Sequence, residues 1–168
     1  MSMERPIRVL FVCLGNICRS PLAEGVFREH VRRAGLAASF EIGSAGTGGW
    51  HVGDPPDRRM IGTARGHGVE LTSRGRQLVA PDLRFYDVIL AMDRDNLHDI
   101  LFLDPDREFA DRVRLFREYD PEPGDYQVPD PYYGEQDGFD HVYRMVDRTS
   151  AALLGALAAH YGLSADPR

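Results

Sequence analysis

Cys13 and Arg19 stand six residues apart in Cys13-Leu14-Gly15-Asn16-Ile17-Cys18-Arg19-Ser20-Pro21. A thiolate is a strong nucleophile, and a guanidinium is a planar fork that grips two oxygens of a phosphoryl group. Gly15 and Asn16 are residue types that tolerate positive φ, so the segment between the two reads as a tight turn. A turn running into a helix N-terminus aims several backbone N–H groups inward, which makes a seat for an anion. With Cys13 beneath that anion, the aligned amides, the helix dipole and the Arg19 charge all favour the thiolate. The Ser20 hydroxyl can donate a further hydrogen bond to the sulfur. The chemistry that follows is attack on phosphorus, leaving a phosphocysteine.

Cleaving a phosphate ester this way needs an acid for the leaving oxygen. The same group must then act as base toward the water that hydrolyses the intermediate. Neither Cys nor Arg can do this. Asp104, Asp120 and Asp130 are the candidates, each followed by Pro. Asp130 has the most suitable neighbours, because Tyr132 and Tyr133 could wall a slot for an aromatic leaving group and Trp50 could form the opposite wall.

Positioning these groups falls to the elements around them. Val9 to Val12 is a short apolar run, as expected of a strand buried on both faces, with Cys13 at its carboxyl end. Ser20 reads as a helix N-cap and Pro21 as the first helical residue. Leu22, Ala23, Val26, Phe27 and Ala34 share one face of that helix, and Gly35 stops it. Phe40 to Ile42 is a weak strand, ended by a loop from Ser44 to Trp50 that does not fit a dinucleotide-binding glycine pattern. Asp54-Pro55-Pro56-Asp57 opens a second helix running to about His67-Gly68. Tyr86 to Met92 is another buried strand, Asp93 caps the helix after it, and Arg112 to Phe116 alternates as a short strand. From Phe139 to Tyr161 the apolar spacing predicts a long closing helix. Strand and helix alternate four times, which predicts an α/β sandwich with a parallel sheet and right-handed crossovers. Ligands in such sheets bind at the carboxyl ends of the strands. The stretch from Tyr119 to Gly138 has no periodicity, and long structured loops in compact domains are usually functional.

With 168 residues the chain reads as a single domain over 1–168. Its formal charge of −6 argues against a nucleic-acid partner. All 20 basic residues are Arg, which excludes Schiff-base lysine chemistry and a P-loop lysine. Cys13 and Cys18 are the two cysteines, too few for a disulfide framework or a cysteine zinc site, and no His pair has metal-ligand spacing. No metal or cofactor is expected. No apolar run is long enough for a signal peptide or a membrane span, so a reducing cytoplasm is the expected compartment. There, peroxide is expected to inactivate the thiolate reversibly through a Cys13–Cys18 disulfide.

The run Val12-Cys13-Leu14-Gly15-Asn16-Ile17-Cys18-Arg19-Ser20-Pro21, together with Asp130-Pro131-Tyr132-Tyr133-Gly134, resembles the low-molecular-weight protein-tyrosine phosphatases. The likeness extends over Trp50-His51-Val52-Gly53, Arg76-Gln77, Ala91-Met92-Asp93 and Tyr119-Asp120-Pro121. It implies a three-layer sandwich with a four-stranded parallel sheet flanked by helices, metal-free hydrolysis, and phosphotyrosine-containing proteins as substrates. By the same likeness Cys13 is the nucleophile, Arg19 the phosphate clamp and Asp130 the general acid. Asn16, Ser20 and Ser44 hold the loop in shape, while Leu14, Trp50, Tyr132 and Tyr133 line the cleft. Many members brace the loop with a His where this chain has Ser73, so that support is expected to be shorter or absent. His67 resembles a second family histidine, expected to pair with Asp93.

Three other readings fit part of the pattern. Arsenate reductases of this fold relay electrons through further cysteines, and none follows Cys18. Phosphoarginine phosphatases typically carry Thr where Ile17 stands and lack the tyrosine pair. A non-catalytic phosphate-binding module would leave the filled chemical positions without a role.

Overall fold

The apolar run before the Cys13 turn becomes β1 (Ile7–Cys13) in a computed structural model that describes residues 5–164. With β2 (Phe40–Gly46), β3 (Val88–Ala91) and β4 (Val113–Leu115) it forms one parallel sheet in the order β2-β1-β3-β4. The helices are α1 (Arg19–Arg33), α2 (Arg58–Gly66), α3 (Pro81–Phe85), α4 (Arg94–Phe102) and α5 (Gln136–Tyr161). Val9, Phe11 and Cys13 point into a core shared with α1, α2 and α5. Leu10 and Val12 point the other way, toward Leu83 of α3 and Ile100 of α4. Covering both faces is what makes β1 continuously apolar rather than alternating. Phe11 anchors the first core, its ring edge-on to Phe27 at 5.6 Å and Phe116 at 5.4 Å.

The chain leaves β1 for β2 on one side and returns to β3 on the other. A crevice opens beyond the carboxyl ends of the strands where the order reverses in this way. Cys13, the last residue of β1, is paired with Gly46 at the end of β2, so the Cys13 turn begins at that crevice.

Several boundaries differ from the sequence reading, each for a local reason. α1 begins at Arg19 with Cys18 at the cap position, so Ser20 does not cap it and Pro21 is its third residue. The Ser20 hydroxyl is drawn into the turn instead. Pro21 still sits in the first turn, where its missing N–H costs nothing. β2 runs on through Ser44, Ala45 and Gly46, where a loop was expected. Pairing with β1 carries the ladder through residues of poor strand propensity. α2 is capped by Asp57, which accepts from the Arg59 N–H, and it stops at Gly66 just short of His67-Gly68. Asp93 caps α4 as expected, accepting from the Asn96 N–H at 2.8 Å. α5 starts at Gln136, three residues before Phe139, and α3 is a single short helix that apolar periodicity is too brief to reveal. Among the described residues no helix is long and apolar enough to cross a membrane.

Candidate active site

The turn after β1 holds the Cys13 sulfur from two sides. The Asn16 N–H donates to Sγ at 3.3 Å, and the Ser20 Oγ lies 3.0 Å from it. Asn16, not Gly15, takes the left-handed backbone, at φ +57. Its buried carboxamide then reaches three anchors. Nδ2 donates to Ser20 Oγ at 2.8 Å and to Ser44 Oγ at 3.0 Å, while Oδ1 accepts from the Arg76 N–H at 3.0 Å. Ser20 Oγ accepts from Asn16, and its own proton has the sulfur at 3.0 Å as its near acceptor and the Ala45 carbonyl at 3.5 Å as its far one. Ser44 in turn donates to Glu24 at 2.5 Å, and Arg28 donates to the other Glu24 oxygen at 2.9 Å. The bracing that Ser73 does not give comes from Glu24 and from the Arg76 backbone. Glu24 escaped the sequence reading, although it lies one helical turn beyond Ser20 on the same face of α1.

Arg19 is 3% exposed at the head of α1. Its Nη1 donates to Asp93 Oδ2 at 2.6 Å and to the Val128 carbonyl at 3.1 Å, and its Nη2 lies 3.5 Å from Asp130 Oδ2. Burial works against the Arg19 charge, but Cys13, Asp93 and Asp130 outweigh it and hold the group protonated more firmly than in water. His67 does not pair with Asp93. The Asp93 carboxylate already serves Arg19 and the α4 N-terminus, while the His67 ring stacks on Tyr143 at 3.9 Å.

Geometry separates the three acid candidates. Asp104 is buried and accepts the Glu108 and Phe109 N–H groups, both at 2.9 Å, so it folds its own loop. Asp120 is buried between Arg148 and Arg117. Burial alone would raise its pKa, but hydrogen bonds from Arg148, the Glu122 N–H and Arg117 hold it below the usual carboxylate range. Asp130 alone of the three lines the cavity above Cys13. Its Oδ1 accepts the Tyr132 N–H at 3.1 Å, leaving Oδ2 toward Arg19.

That cavity measures about 320 Å³, with Cys13, Gly15 and Arg19 at its floor and Leu14, Ile17, Trp50, Tyr132 and Tyr133 around it. Asn16, Ser20, Ser44 and Asp93 lie behind the floor as supports. The walls are open rather than deep, since Trp50 is 72% and Tyr133 94% exposed. Trp50 folds back over Gly48, where an added Cβ would fall 1.9 Å from the indole. His51, unassigned from sequence, joins the wall with Nδ1 3.1 Å from Asp54 Oδ2. Cys18 also reaches the cavity, but it is 3% exposed, and burial pushes its thiol up so that it stays protonated. Among the described residues no group of His, Cys, Asp and Glu side chains could hold a metal ion.

The sequence model described as "Low molecular weight phosphotyrosine protein phosphatase" matches residues 8–162. The chain belongs to that family. It is 47% identical over 147 residues to the low molecular weight phosphotyrosine protein phosphatase of Schizosaccharomyces pombe, covering 86% of this chain and 94% of that one. It is 46% identical to the low molecular weight protein-tyrosine-phosphatase of Streptomyces coelicolor, covering 89% and 93%. The fold matches a crystal structure of a protein tyrosine phosphatase from Entamoeba histolytica with Hepes in the active site. That match has a TM-score of 0.86 at 33% identity and covers 93% of this chain and 98% of that one. A crystal structure of a Drosophila arginine phosphatase matches too, with a TM-score of 0.84 at 29% identity, covering 90% and 98%.

Proposed function

We propose that the chain hydrolyses phosphotyrosine in proteins through a phosphocysteine formed on Cys13. The observation that carries this reading is the convergence of Cys13, Arg19 and Asp130 on one cavity, with Arg19 Nη2 3.5 Å from Asp130 Oδ2. In the first step Cys13 Sγ attacks phosphorus while Arg19 and the turn amides hold the phosphoryl oxygens. The P–O bond to the phenol breaks as protonated Asp130 gives its proton to the leaving oxygen. In the second step the Asp130 carboxylate takes a proton from water, whose oxygen attacks phosphorus and expels the Cys13 thiolate. Phosphate leaves, and both side chains return to their starting states. Side chains and water suffice for both steps. An oxyanion in place of substrate fits the same floor, in keeping with a related enzyme that holds Hepes, a sulfonate, in its active site.

The walls favour an aryl ester. Stacking on Trp50, Tyr132 or Tyr133 is worth roughly 0.5–1.5 kcal/mol per ring pair. Ile17 presents a branched apolar surface with no hydroxyl to meet a phosphoguanidinium nitrogen. The need for a reduced Cys13 supports a cytoplasmic setting. The test is kcat/KM on matched phosphotyrosine, phosphoserine, phosphothreonine and phosphoarginine peptides, with Cys13→Ser and Asp130→Ala beside the wild type. Phosphotyrosine is expected to lead. Cys13→Ser is expected to abolish turnover while still binding vanadate, and Asp130→Ala to cost about 10²–10⁴ in kcat. Turnover of phosphoarginine as fast as phosphotyrosine, or an active Cys13→Ser, would overturn the reading.

A further inference from the structure

Asp130 lies in a stretch, 120–135, that belongs to no helix or strand, yet its carboxylate must take one place above Cys13 at every turnover. Backbone carbonyls in such a stretch have no ladder to satisfy them. Here they converge on one buried side chain. Arg117 is 5% exposed in the 3₁₀ turn Phe116–Tyr119 that follows β4. Its guanidinium donates to Asp120 Oδ2 at 3.0 Å and to the carbonyls of Glu122 and Gln127, each at 2.7 Å. A longer contact of 3.5 Å reaches Asp125 Oδ1. Residues 120–127 are thus wound around the buried Arg117, while Arg148 meets Asp120 at 2.8 Å and Arg94 donates to the Asp125 carbonyl at 3.0 Å from outside. The winding requires left-handed backbone at Gly124, φ +52, and at Tyr126, φ +66. A Cβ at Gly124 would meet Arg117 Nη2 in ordinary contact at 3.6 Å, so it is the positive φ that favours glycine there.

Beyond the anchored Gln127 carbonyl only Val128 and Pro129 precede Asp130. Val128 is fully buried and fixed at both ends, its N–H on the Met92 carbonyl at 2.7 Å and its carbonyl on Arg19 at 3.1 Å. Pro129 has its φ set by its ring. The place of the Asp130 carboxylate therefore follows from where Val128 and Gln127 are held, and Arg117 supplies the hold on the Gln127 carbonyl, beside the Arg94 N–H on the Gln127 side chain at 3.0 Å.

We propose that Arg117 is the positioning residue for the general acid, acting on turnover through Asp130 without touching substrate. The proposal rests on the reading of Asp130 as that acid. A lysine could not replace it, because an ammonium lacks the five-donor planar fork that reaches acceptors on several sides at once.

The test compares p-nitrophenyl phosphate, whose leaving group needs little protonation, with phenyl phosphate, whose leaving group needs much. Arg117→Lys keeps a positive charge beside Asp120. It is expected to lower kcat/KM, which reports the step that breaks the P–O bond, at least tenfold on phenyl phosphate and far less on p-nitrophenyl phosphate, and to leave inhibition by vanadate within threefold. In an Asp130→Ala background the same change is expected to alter kcat/KM less than twofold. Should Arg117→Lys fail to fold, Gly124→Val strains the same winding from the surface and is expected to give the same ratio between substrates. Equal losses on both substrates, or an undiminished loss in the Asp130→Ala background, would overturn the proposal. Full activity of Asp130→Ala alone on phenyl phosphate would instead overturn the reading of Asp130, and the proposal with it.

Discussion

Cys13 ends β1 and Cys18 takes the cap position of α1, at the two ends of one turn, yet they differ in what holds the sulfur. Cys13 Sγ receives the Asn16 N–H and faces Ser20, whereas burial keeps Cys18 a thiol. The two roles are complementary under oxidation. A sulfenic acid on Cys13 is expected to condense with the Cys18 thiol to give a disulfide and water, which would protect Cys13 from further oxidation. Peroxide-treated enzyme is expected to yield a linked Cys13–Cys18 peptide by mass spectrometry and to regain activity with a dithiol, while Cys18→Ala regains much less. Equal recovery of both proteins would exclude the disulfide. Side-chain chemistry of this kind was visible in the sequence, because Cys, Arg and a turn at fixed spacing suffice to suggest it. What separates Asp130 from Asp104 and Asp120 was visible only in part. All three precede Pro, and the difference lies in their partners: the distant Arg148 for Asp120, and for Asp104 the Glu108 and Phe109 amides of its own irregular loop, which no periodicity marks.

At the scale of elements, the segment carrying Trp50 and His51 is shaped by glycines that leave no room for a side chain. At Gly75 a Cβ would lie 2.1 Å from the His51 carbonyl oxygen, and at Gly48 it would strike the Trp50 ring. Gly48→Ala is expected to push the indole off the wall, raising KM for aryl phosphates several-fold while changing kcat little, since nothing at the Cys13 floor moves. A steady-state comparison on phenyl phosphate checks this, and a fall in kcat with KM unchanged would contradict it. The strands, the two long helices, the Asp54–Asp57 opening of α2 and the Asp93 cap were legible because periodicity and capping are local signals. The end of β2 was not, since Ser44-Ala45-Gly46 has strand geometry only through its pairing with β1. The bracing by Glu24 and the winding around Arg117 escaped for a similar reason. Each joins groups that only the packing of α1 on β2, or of a loop on itself, brings together.

For the molecule as a whole, acidic groups set the lower limit of its pH range. Asp120 sits below the ordinary carboxylate range for the reasons given above, and Asp87 does so through Arg5, against a smaller cost of burial. A carboxylate whose folded pKa is depressed stabilises the fold fully above its unfolded value of about 3.9, and that stabilisation is lost as pH falls through the folded value. Unfolding free energy from urea titration is therefore expected to be nearly flat from about pH 8 to 5 and to drop below about pH 4. Removing one partner of a buried pair costs about 3–5 kcal/mol, so Asp120→Asn should lose that much at pH 7 and less near pH 3. A constant difference across that range would contradict the assignment. Arg19 has a wider reach than its place in the cavity suggests, because it fastens α1 to Asp93 at the head of α4 and to Val128 before the acid. An anion seated on the Cys13 turn is then a keystone as well as a substrate mimic. Saturating vanadate, at a hundred times its dissociation constant, adds about 2.7 kcal/mol to folding stability. It should raise the melting temperature by roughly 5–10 °C and slow amide hydrogen exchange at Val128, which meets the anion only through Arg19.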